Sequence, residues 1–277
     1  MNIDLLRKDI RRFLAEDIGY RDVTSEPIFS ADHSGKAIFV AKQNFVAAGI
    51  DLIAPLVFNL RNSAIVCSSA VRDGDPVSAG AVLLEVGGPI RDLLGAERVA
   101  LNLAQRLSGI ATLTRKYVNE VAGLPVKIVD TRKTTPGLRM VEKYAVRAGG
   151  GHNHRYNLAD GVLIKDNHIA ACGSITSAVE KIRAAVPHTL RIEVEVESLE
   201  QLEEALSCGV EIIMLDNMEP GIMREAVNKT KGKAILEASG GVTLKNVRAI
   251  AETGVDLISV GALTHSAPAV DISMRIV

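Results

Sequence analysis

After Pro125 the sequence alternates short apolar runs with segments of helical spacing, and this alternation restricts the fold strongly. The runs are VKIVD (126–130), GVLIK (161–165), RIEVEV (191–196), EIIML (211–215), AILEA (234–238) and DLISV (256–260). Most are followed by an amphipathic segment, which is typical of parallel strands joined by helices. Six units are too few for a closed eight-stranded barrel of about 250 residues. The pattern therefore predicts an open, incomplete α/β barrel.

The part of the chain before Pro125 has a different texture. Residues 35–90 contain alternating segments such as KAIFVAK and AVLLEV with turn signals between them, which predict antiparallel strands. A long helix is expected over 95–121, and an amphipathic N-terminal helix with Leu5 and Leu6 on its apolar stripe. We predict an α+β domain over 1–124 and the barrel over 125–277. Whether the N-terminal helix and the extreme C-terminus pack across this boundary is left open.

Composition excludes several classes of protein. The net charge is −1 and aromatic residues make up 3%, which disfavours a nucleic-acid binder. No apolar run is long enough to span a bilayer, so no membrane partner is expected. The three cysteines are widely spaced without a CxxC pair, which indicates free thiols in a reducing compartment. We therefore expect a cytoplasmic protein.

Charged, hydroxyl-bearing or glycine residues follow nearly every apolar run. In parallel α/β sheets the carboxyl ends of the strands carry the reacting groups, so these residues are expected at one rim. The residues with cationic side chains in or near the first loops are Arg132, Lys133, Arg139, His154, Arg155 and Lys165. So many cations predict an anionic ligand, because unpaired buried charge is costly. The alternative is that loop starts are polar by default and cap the next helix.

Two further features at this rim have functional and structural interpretations. The turns ASGG (238–241) and VGAL (260–263) favour a phosphate site, although glycine is also a steric need in tight turns. Glu195 and Asp216 on neighbouring runs are suitable ligands for magnesium bound to phosphate. The glutamates of RIEVEV could equally pair with nearby cations, and both roles are compatible.

The stretch GGGHNHR (149–155) permits three interpretations. It could be a phosphate loop, half of a metal site or a flexible turn. A zinc site is disfavoured, because only His168 is close in sequence as a third ligand. Arg155 directly after His154 favours recognition of a carboxylate, with His152 bracing the loop.

Long segments in a fixed order carry a family resemblance. They are EDIGYRDVTS, ERVALNLAQRLSGIAT, DTRKTTPGLRMVEKYAVRAGGGHNHR, LIKDNHI, EVEVES, LDN, EASGGV and GVDLISVGALTHS. They cover nearly the whole chain and resemble the quinolinate phosphoribosyltransferases, also called nicotinate-nucleotide pyrophosphorylases (carboxylating). The resemblance implies a pentosyltransferase of de novo NAD biosynthesis. It would transfer phosphoribose from phosphoribosyl pyrophosphate to quinolinate, giving nicotinate mononucleotide, pyrophosphate and carbon dioxide with magnesium as cofactor.

The resemblance also implies roles for individual residues. The set expected to bind the dicarboxylate is Arg132, His154, Arg155 and Lys165, joined by Arg106 from the neighbouring subunit of a homodimer. Lys133 would serve the pyrophosphate with Arg132 and Lys165, and Glu195 and Asp216 would contact ribose hydroxyls and the metal. Ser239, Gly240 and Gly261 would bind the 5-phosphate. The chemical step is thereby assigned to Lys133, Lys165, Glu195 and Asp216, and assembly of dimers into hexamers is left open.

Two departures and three rival interpretations accompany this assignment. Tyr156-Asn157 and Arg21 stand where relatives often have Met-Gly and glycine, but neither touches a residue with a chemical role. The rivals are the molybdenum-associated paralogue of the family, a Schiff-base aldolase with Lys165 as nucleophile, and an anion-binding module without catalysis. The arginines favour a dianionic substrate over an aldolase substrate.

Overall fold

The predicted strands and helices are present in the computed structural model, which describes all 277 residues. The helices are α1 (Ile3–Ile18), α2 (Ser25–Ile28), α3 (Ile53–Arg61), α4 (Ile90–Glu120), α5 (Arg139–Ala148), α6 (Asp166–Cys172), α7 (Ile175–Ala185), α8 (Leu199–Ser207), α9 (Pro220–Thr230), α10 (Val247–Ala251) and α11 (Ala262–His265). The strands are β1 (Ser34–Ala41), β2 (Phe45–Val46), β3 (Val66–Ser69), β4 (Pro76–Val77), β5 (Val82–Pro89), β6 (Lys127–Val129), β7 (Val162–Ile164), β8 (Ile192–Val196), β9 (Ile212–Asp216), β10 (Ile235–Ser239), β11 (Leu257–Ser259) and β12 (Ile272–Ile276).

The six apolar runs form one parallel sheet in the order β6-β11-β10-β9-β8-β7. The edge strands β6 and β7 do not pair with each other, so the barrel is not closed. This confirms the predicted open α/β barrel. Beside β6, His152 forms a parallel bridge with Val129, so the histidine-containing segment continues the open edge.

The alternation of side chains along β8 determines which residues line each face of the sheet. All five residues of β8 are buried. Successive side chains of a strand point to opposite faces, so Glu193 and Glu195 share one face while Val194 points to the other. A strand covered on both faces normally carries apolar residues throughout. Two glutamates on one face therefore indicate a polar interior.

Strands β1, β3 and β5 of the N-terminal part form an antiparallel sheet with β12 from residues 272–276, in the order β12-β1-β5-β3, and β2 and β4 form a separate pair. This confirms the predicted α+β character. The rings of Phe39 and Phe58 pack edge to face there, with centroids 5.9 Å apart. Helix α1 buries Leu6 but leaves Leu5 55% exposed, because neighbouring helical residues point about 100° apart. The prediction of Leu5 on the buried stripe is therefore wrong.

The chain divides into two units. One consists of Met1–Arg115, Thr134–Gly150 and Leu263–Val277, and the other of Lys116–Lys133 and Gly151–Ala262. The domain boundary predicted between residues 124 and 125 stays a prediction. No helix has the length and apolar character needed to cross a membrane, and the cytoplasmic location also stays a prediction.

Gly109 in α4 lies against the backbone of residue 268, and its replacement is expected to destabilise the protein. A Cβ atom at this position would be 2.1 Å from the carbonyl oxygen of Pro268. Because backbone must move to relieve the overlap, Gly109→Ala should cost about 1–3 kcal/mol of unfolding free energy. Denaturant unfolding measures the cost. Gly221→Ala in α9 is the control, since its Cβ would meet no atom within 4 Å. Equal stability of the two variants would contradict the contact.

Candidate active site

The sheet places the predicted rim residues of the second unit on neighbouring strands. Asp216 and Ser239 are register partners at the carboxyl ends of β9 and β10. Glu195 in β8 is the register partner of Met214, two residues before Asp216. Lys165 directly follows β7. The same edge of the sheet thus carries a lysine, two carboxylates and a hydroxyl group.

Lys165 and Glu195 form an ion pair across β7 and β8. The Lys165 side chain is 42% exposed, whereas that of Glu195 is 8% exposed. The ammonium therefore compensates a carboxylate that is largely removed from water. The Lys165 backbone N–H donates to His168 Nδ1 over 2.9 Å at the start of α6.

Asp130 fixes the histidine-containing segment. This fully buried residue follows β6, and its carboxylate accepts from Asn153 Nδ2 at 2.6 Å and from the His154 backbone N–H at 2.8 Å. The His152 N–H also donates to the Ile128 carbonyl over 2.9 Å. The segment is therefore held against β6, which excludes the flexible-turn interpretation. Asp130 was assigned no role from the sequence, although an acid that ends an apolar run is a usable signal.

The ring nitrogens of His154 both have partners within the chain. Nδ1 accepts from the Arg155 backbone N–H at 2.7 Å, while Nε2 lies 3.1 Å from Glu193 Oε2 and 3.8 Å from Glu237 Oε1. An accepting nitrogen has no proton, so the proton is on Nε2 and points to Glu193. The His154 ring thus accepts through Nδ1 and faces Glu193 through Nε2. Its direct contact with a dicarboxylate stays a prediction.

His154, Glu193 and Glu237 come from three separate segments, and their nearest ligand atoms lie within 4.8 Å of one another. Such a cluster could hold a metal ion, but Nε2 carries a proton and has no lone pair for a metal. The arrangement instead suits a proton shared between the imidazole and two carboxylates. Glu237 was missed from the sequence, where a glutamate inside AILEA was the available signal.

Stability is expected to fall with rising pH because of Glu237. Burial, and then the Glu193 carboxylate, raises the pKa of Glu237 to about 7, with Asp130 adding to this and His154 opposing it. A raised folded-state pKa means that the folded protein binds the extra proton. The stabilisation is present below the ordinary pKa of 4.5 and is lost as pH rises through about 7.

The thermal unfolding midpoint of Glu237→Gln should therefore exceed that of the parent protein more at pH 8 than at pH 5. Glu252→Gln directly after α10, where the side chain is about half exposed, is the control and should shift the midpoint equally at both pH values. A pH-independent difference for Glu237→Gln would show that this carboxyl does not titrate in the window.

Arg155 lies within electrostatic range of the Arg132 guanidinium. Its Nη1 donates to the Gly161 carbonyl over 2.7 Å, and its buried Nε has no hydrogen-bond partner. Burial, and then the charge of Arg132, lowers the pKa of Arg155, while Glu193 opposes the shift. Two like charges in a partly buried site repel each other, and a bound anion reduces this repulsion. The pair is therefore suited to a ligand with more than one negative charge.

The turn after β10 has space beside its backbone. Gly240 and Gly241 have φ values of 90° and 59°, a region that favours glycine. A Cβ atom on Gly241 would meet nothing within 4 Å. Consecutive glycines of this kind let backbone N–H groups approach an anion closely.

Family comparisons agree with this geometry. The N-terminal domain model of quinolinate phosphoribosyl transferase matches residues 22–108, and the C-terminal domain model matches residues 110–275. The chain belongs to the quinolinate phosphoribosyltransferase family.

Relatives and solved structures of this family match over the full chain. A Bacillus subtilis (strain 168) protein named probable nicotinate-nucleotide pyrophosphorylase (carboxylating) is 50% identical over 276 residues, covering 100% of this chain and 95% of the relative. The Mycobacterium leprae nicotinate-nucleotide pyrophosphorylase (carboxylating) is 45% identical, covering 98% and 97%. The crystal structure of NadC from Streptococcus pyogenes aligns with a TM-score of 0.96 at 40% identity, covering 100% and 98%.

Arg106, which the family resemblance places at a partner's site, belongs to the first unit and is tied there within its own chain. Its guanidinium contacts the fully buried Glu142 carboxylate at 2.9 Å, and it donates to the Ala267 carbonyl over 2.9 Å and to the Thr264 carbonyl. The Glu142 carboxylate also accepts from the Thr135 N–H at 3.0 Å. These contacts give Arg106 a structural role, and its contribution to a neighbouring subunit stays a prediction.

A cavity of about 530 Å³ borders the cluster of His154, Glu193 and Glu237 at the amino-terminal edge of the sheet. Its lining includes Arg191, Ile212 and Leu257, which lie at the amino ends of β8, β9 and β11. His154 and Arg155 also line it, whereas Lys165, Asp216 and Ser239 do not. Substrates of such sheets bind at the carboxyl ends, where Lys165, Asp216 and Ser239 lie. We therefore do not assign this cavity to the reacting groups of the family.

Proposed function

We propose that this protein transfers phosphoribose from phosphoribosyl pyrophosphate to the ring nitrogen of quinolinate, with loss of carbon dioxide. The products are nicotinate mononucleotide and pyrophosphate. The observation that carries the proposal is the pair of guanidinium groups of Arg132 and Arg155 in a partly buried site of a family member. A dicarboxylate is complementary in charge to two neighbouring guanidinium groups.

Recognition of the acid falls to the segments after β6 and β7. Arg155 presents a guanidinium whose Nε has no partner, and guanidinium groups bind carboxylates in a bidentate manner. Arg132 and Lys165 add positive charge. His154 supports this arrangement because its Nδ1 accepts from the Arg155 backbone N–H.

The phosphorylated ribose is assigned to the ends of β8 to β11. Ser239, Gly240 and Gly261 bind the 5-phosphate through hydroxyl and backbone groups. Glu195 and Asp216 accept from ribose hydroxyls, and Lys133 neutralises the departing pyrophosphate. The open space at Gly241 supports a phosphate in this turn.

Magnesium is part of the proposal, and Glu195 and Asp216 fit it only as part of a coordination shell shared with water and phosphate oxygens. Glu195 is paired with Lys165, and Asp216 accepts from Asn217 Nδ2, so a magnesium cage made only of protein atoms is not formed. Magnesium usually takes one or two carboxylates and completes its shell with water and phosphate oxygens. When bound, the ion neutralises charge on the leaving pyrophosphate.

The chemistry then requires positioning rather than a protein nucleophile. The bond from ribose C1 to pyrophosphate breaks, and the quinolinate ring nitrogen supplies the electron pair for the new bond to C1. The cations hold both reactants in line, which removes much of the entropic barrier. The ribosylated nitrogen is positively charged, so it stabilises the electron pair left on the adjacent carbon when carbon dioxide departs. A proton replaces the carboxylate.

A homodimer with shared active sites belongs to the same proposal, and its assembly into hexamers stays open. Mixing inactive Arg106→Ala protein with inactive Lys165→Ala protein tests sharing. Native mass spectrometry verifies that subunits exchange. Recovery of activity in the mixed dimers supports a shared site, and no recovery after exchange contradicts it.

The ion pair of Lys165 also bears on the aldolase alternative. A Schiff base requires the Lys165 amine to attack a carbonyl, whereas this amine is engaged by the Glu195 carboxylate. Borohydride treatment with a carbonyl substrate should therefore leave Lys165 unmodified. A covalent adduct on this lysine would overturn the proposal.

Activity is tested by incubating the protein with quinolinate, phosphoribosyl pyrophosphate and magnesium, and separating nicotinate mononucleotide by chromatography. Stoichiometric carbon dioxide distinguishes the decarboxylating reaction. Nicotinic acid is the parallel substrate. Turnover of nicotinic acid without turnover of quinolinate places the protein in another class, and binding without turnover favours the anion-binding module.

A further inference from the structure

Asn217 has a backbone conformation that non-glycine residues rarely adopt. Its φ is 52°, and Lys231, with φ 48°, is the other non-glycine residue with positive φ. Lys231 ends helix α9, where this conformation is common. Asn217 instead follows β9 at the carboxyl edge of the sheet. Asparagine tolerates the left-handed region better than most residues, but the cost is not removed.

The Asn217 side chain has a defined partner. Its Nδ2 donates to Asp216 Oδ2 at 2.7 Å. Its backbone N–H donates to the Ser239 carbonyl over 2.9 Å, which extends the pairing of β9 with β10 by one residue. The left-handed turn brings the amide back towards the preceding carboxylate. One Asp216 oxygen is thus held, and Oδ1 is left for a ligand.

The same amide lies directly against Gly240. A Cβ atom on Gly240 would be 2.1 Å from Asn217 Oδ1 and 2.5 Å from its Cγ. Gly240 has φ 90° and belongs to the turn after β10. A single side chain therefore contacts both the carboxylate at the end of β9 and the glycine turn after β10.

We infer that Asn217 is a positioning residue for the phosphorylated ribose, because its amide fixes the Asp216 carboxylate relative to the Ser239–Gly241 turn. The inference rests on the proposed function, in which Asp216 and this turn bind one substrate from two sides. The amide adds no contact with quinolinate. Its loss changes recognition of phosphoribosyl pyrophosphate and leaves recognition of the acid unchanged.

The variants Asn217→Gly and Asn217→Asp separate backbone from side chain. Glycine accepts the positive φ without strain and lacks the amide, so this variant should fold at least as stably as the parent protein. Aspartate keeps the shape but loses the donor and adds a negative charge beside Asp216. Lys231→Gly is the matched control, since it relieves the other left-handed residue away from the site.

Two measurements are informative. Calorimetric titration with phosphoribosyl pyrophosphate and magnesium, without quinolinate, should show affinity weakened about tenfold or more in Asn217→Gly, as expected for losing one hydrogen bond to a charged group. Asn217→Asp should be weaker still, and Lys231→Gly should match the parent. The KM for phosphoribosyl pyrophosphate should rise in parallel while the KM for quinolinate stays constant.

Parent-like affinity in Asn217→Gly, or an equal rise in both KM values, would overturn the inference while leaving the proposed function intact. Absence of binding by the parent protein would instead overturn the proposed function and the inference with it. A further check uses Gly240→Ala, whose loss in thermal midpoint should be smaller when Asn217→Gly removes the overlapping amide. An unchanged loss would show that the two residues do not touch.

Discussion

Arg155→Ala should reduce kcat/KM for quinolinate by about 30-fold to several thousand-fold. Removing one member of a buried charged interaction costs about 2–5 kcal/mol, and each 1.4 kcal/mol is about tenfold. The substitution deletes the guanidinium whose Nε has no partner in the chain, and leaves Arg132 to bind the acid without its neighbour. Steady-state kinetics with quinolinate varied at saturating phosphoribosyl pyrophosphate measures the effect.

Two comparisons make this result specific. Arg155→Lys keeps the charge but not the planar fork, so it should recover only part of the activity. Arg191→Ala removes an exposed arginine at the amino end of β8 and should leave kcat/KM near the parent value. Similar losses for Arg155→Ala and Arg191→Ala would mean that net charge, rather than a located carboxylate contact, controls activity.

Arg106→Ala should lower the free energy of unfolding by about 3–5 kcal/mol, the usual cost of stranding one member of a buried ion pair. Glu142 is fully buried, and its carboxylate would lose its 2.9 Å contact with the guanidinium. The carbonyls of Thr264 and Ala267 would lose a donor as well. Urea unfolding followed by circular dichroism measures the change.

A second substitution separates stranded charge from lost packing. Glu142→Gln in the Arg106→Ala background removes the uncompensated charge and should restore part of the stability. Arg248→Ala is the control, because its pair with Glu252 is about half exposed and should contribute at most about 1 kcal/mol. If Arg106→Ala is no more costly than Arg248→Ala, the buried pair does not stabilise the fold.

The parallel sheet could be predicted because its signal is local. Each of the six strands is an apolar run with a helical segment near it, and burial on both faces requires such runs. Their number also predicted that the barrel stays open. Leu5 shows the limit of this approach, because hydrophobic spacing does not specify how wide a stripe the neighbouring elements cover.

The sequence predicted which residue types the site contains, but not which side chains contact each other. The residues that follow the apolar runs include cations and glycines, and they predicted a rim rich in both. That His154 faces Glu193 and Glu237 depends on three segments that are distant in sequence and meet only through strand order. The orientation of its ring depends further on one backbone N–H. The sequence places Asn217 only in the LDN segment after the fourth run and gives it no role, because a positive φ cannot be read from composition.

The pairing of β12 with β1 has a consequence for how the protein is made. Residues Ala37 to Ala41 hydrogen-bond with residues near position 275, so one edge of this sheet stays unpaired until the ribosome has translated the rest of the chain. Unpaired edges recruit other strands and promote aggregation. A nascent chain stalled after α11 would therefore expose the unpaired edge of β1. We expect the nascent chain to bind chaperones most strongly before β12 emerges from the ribosome.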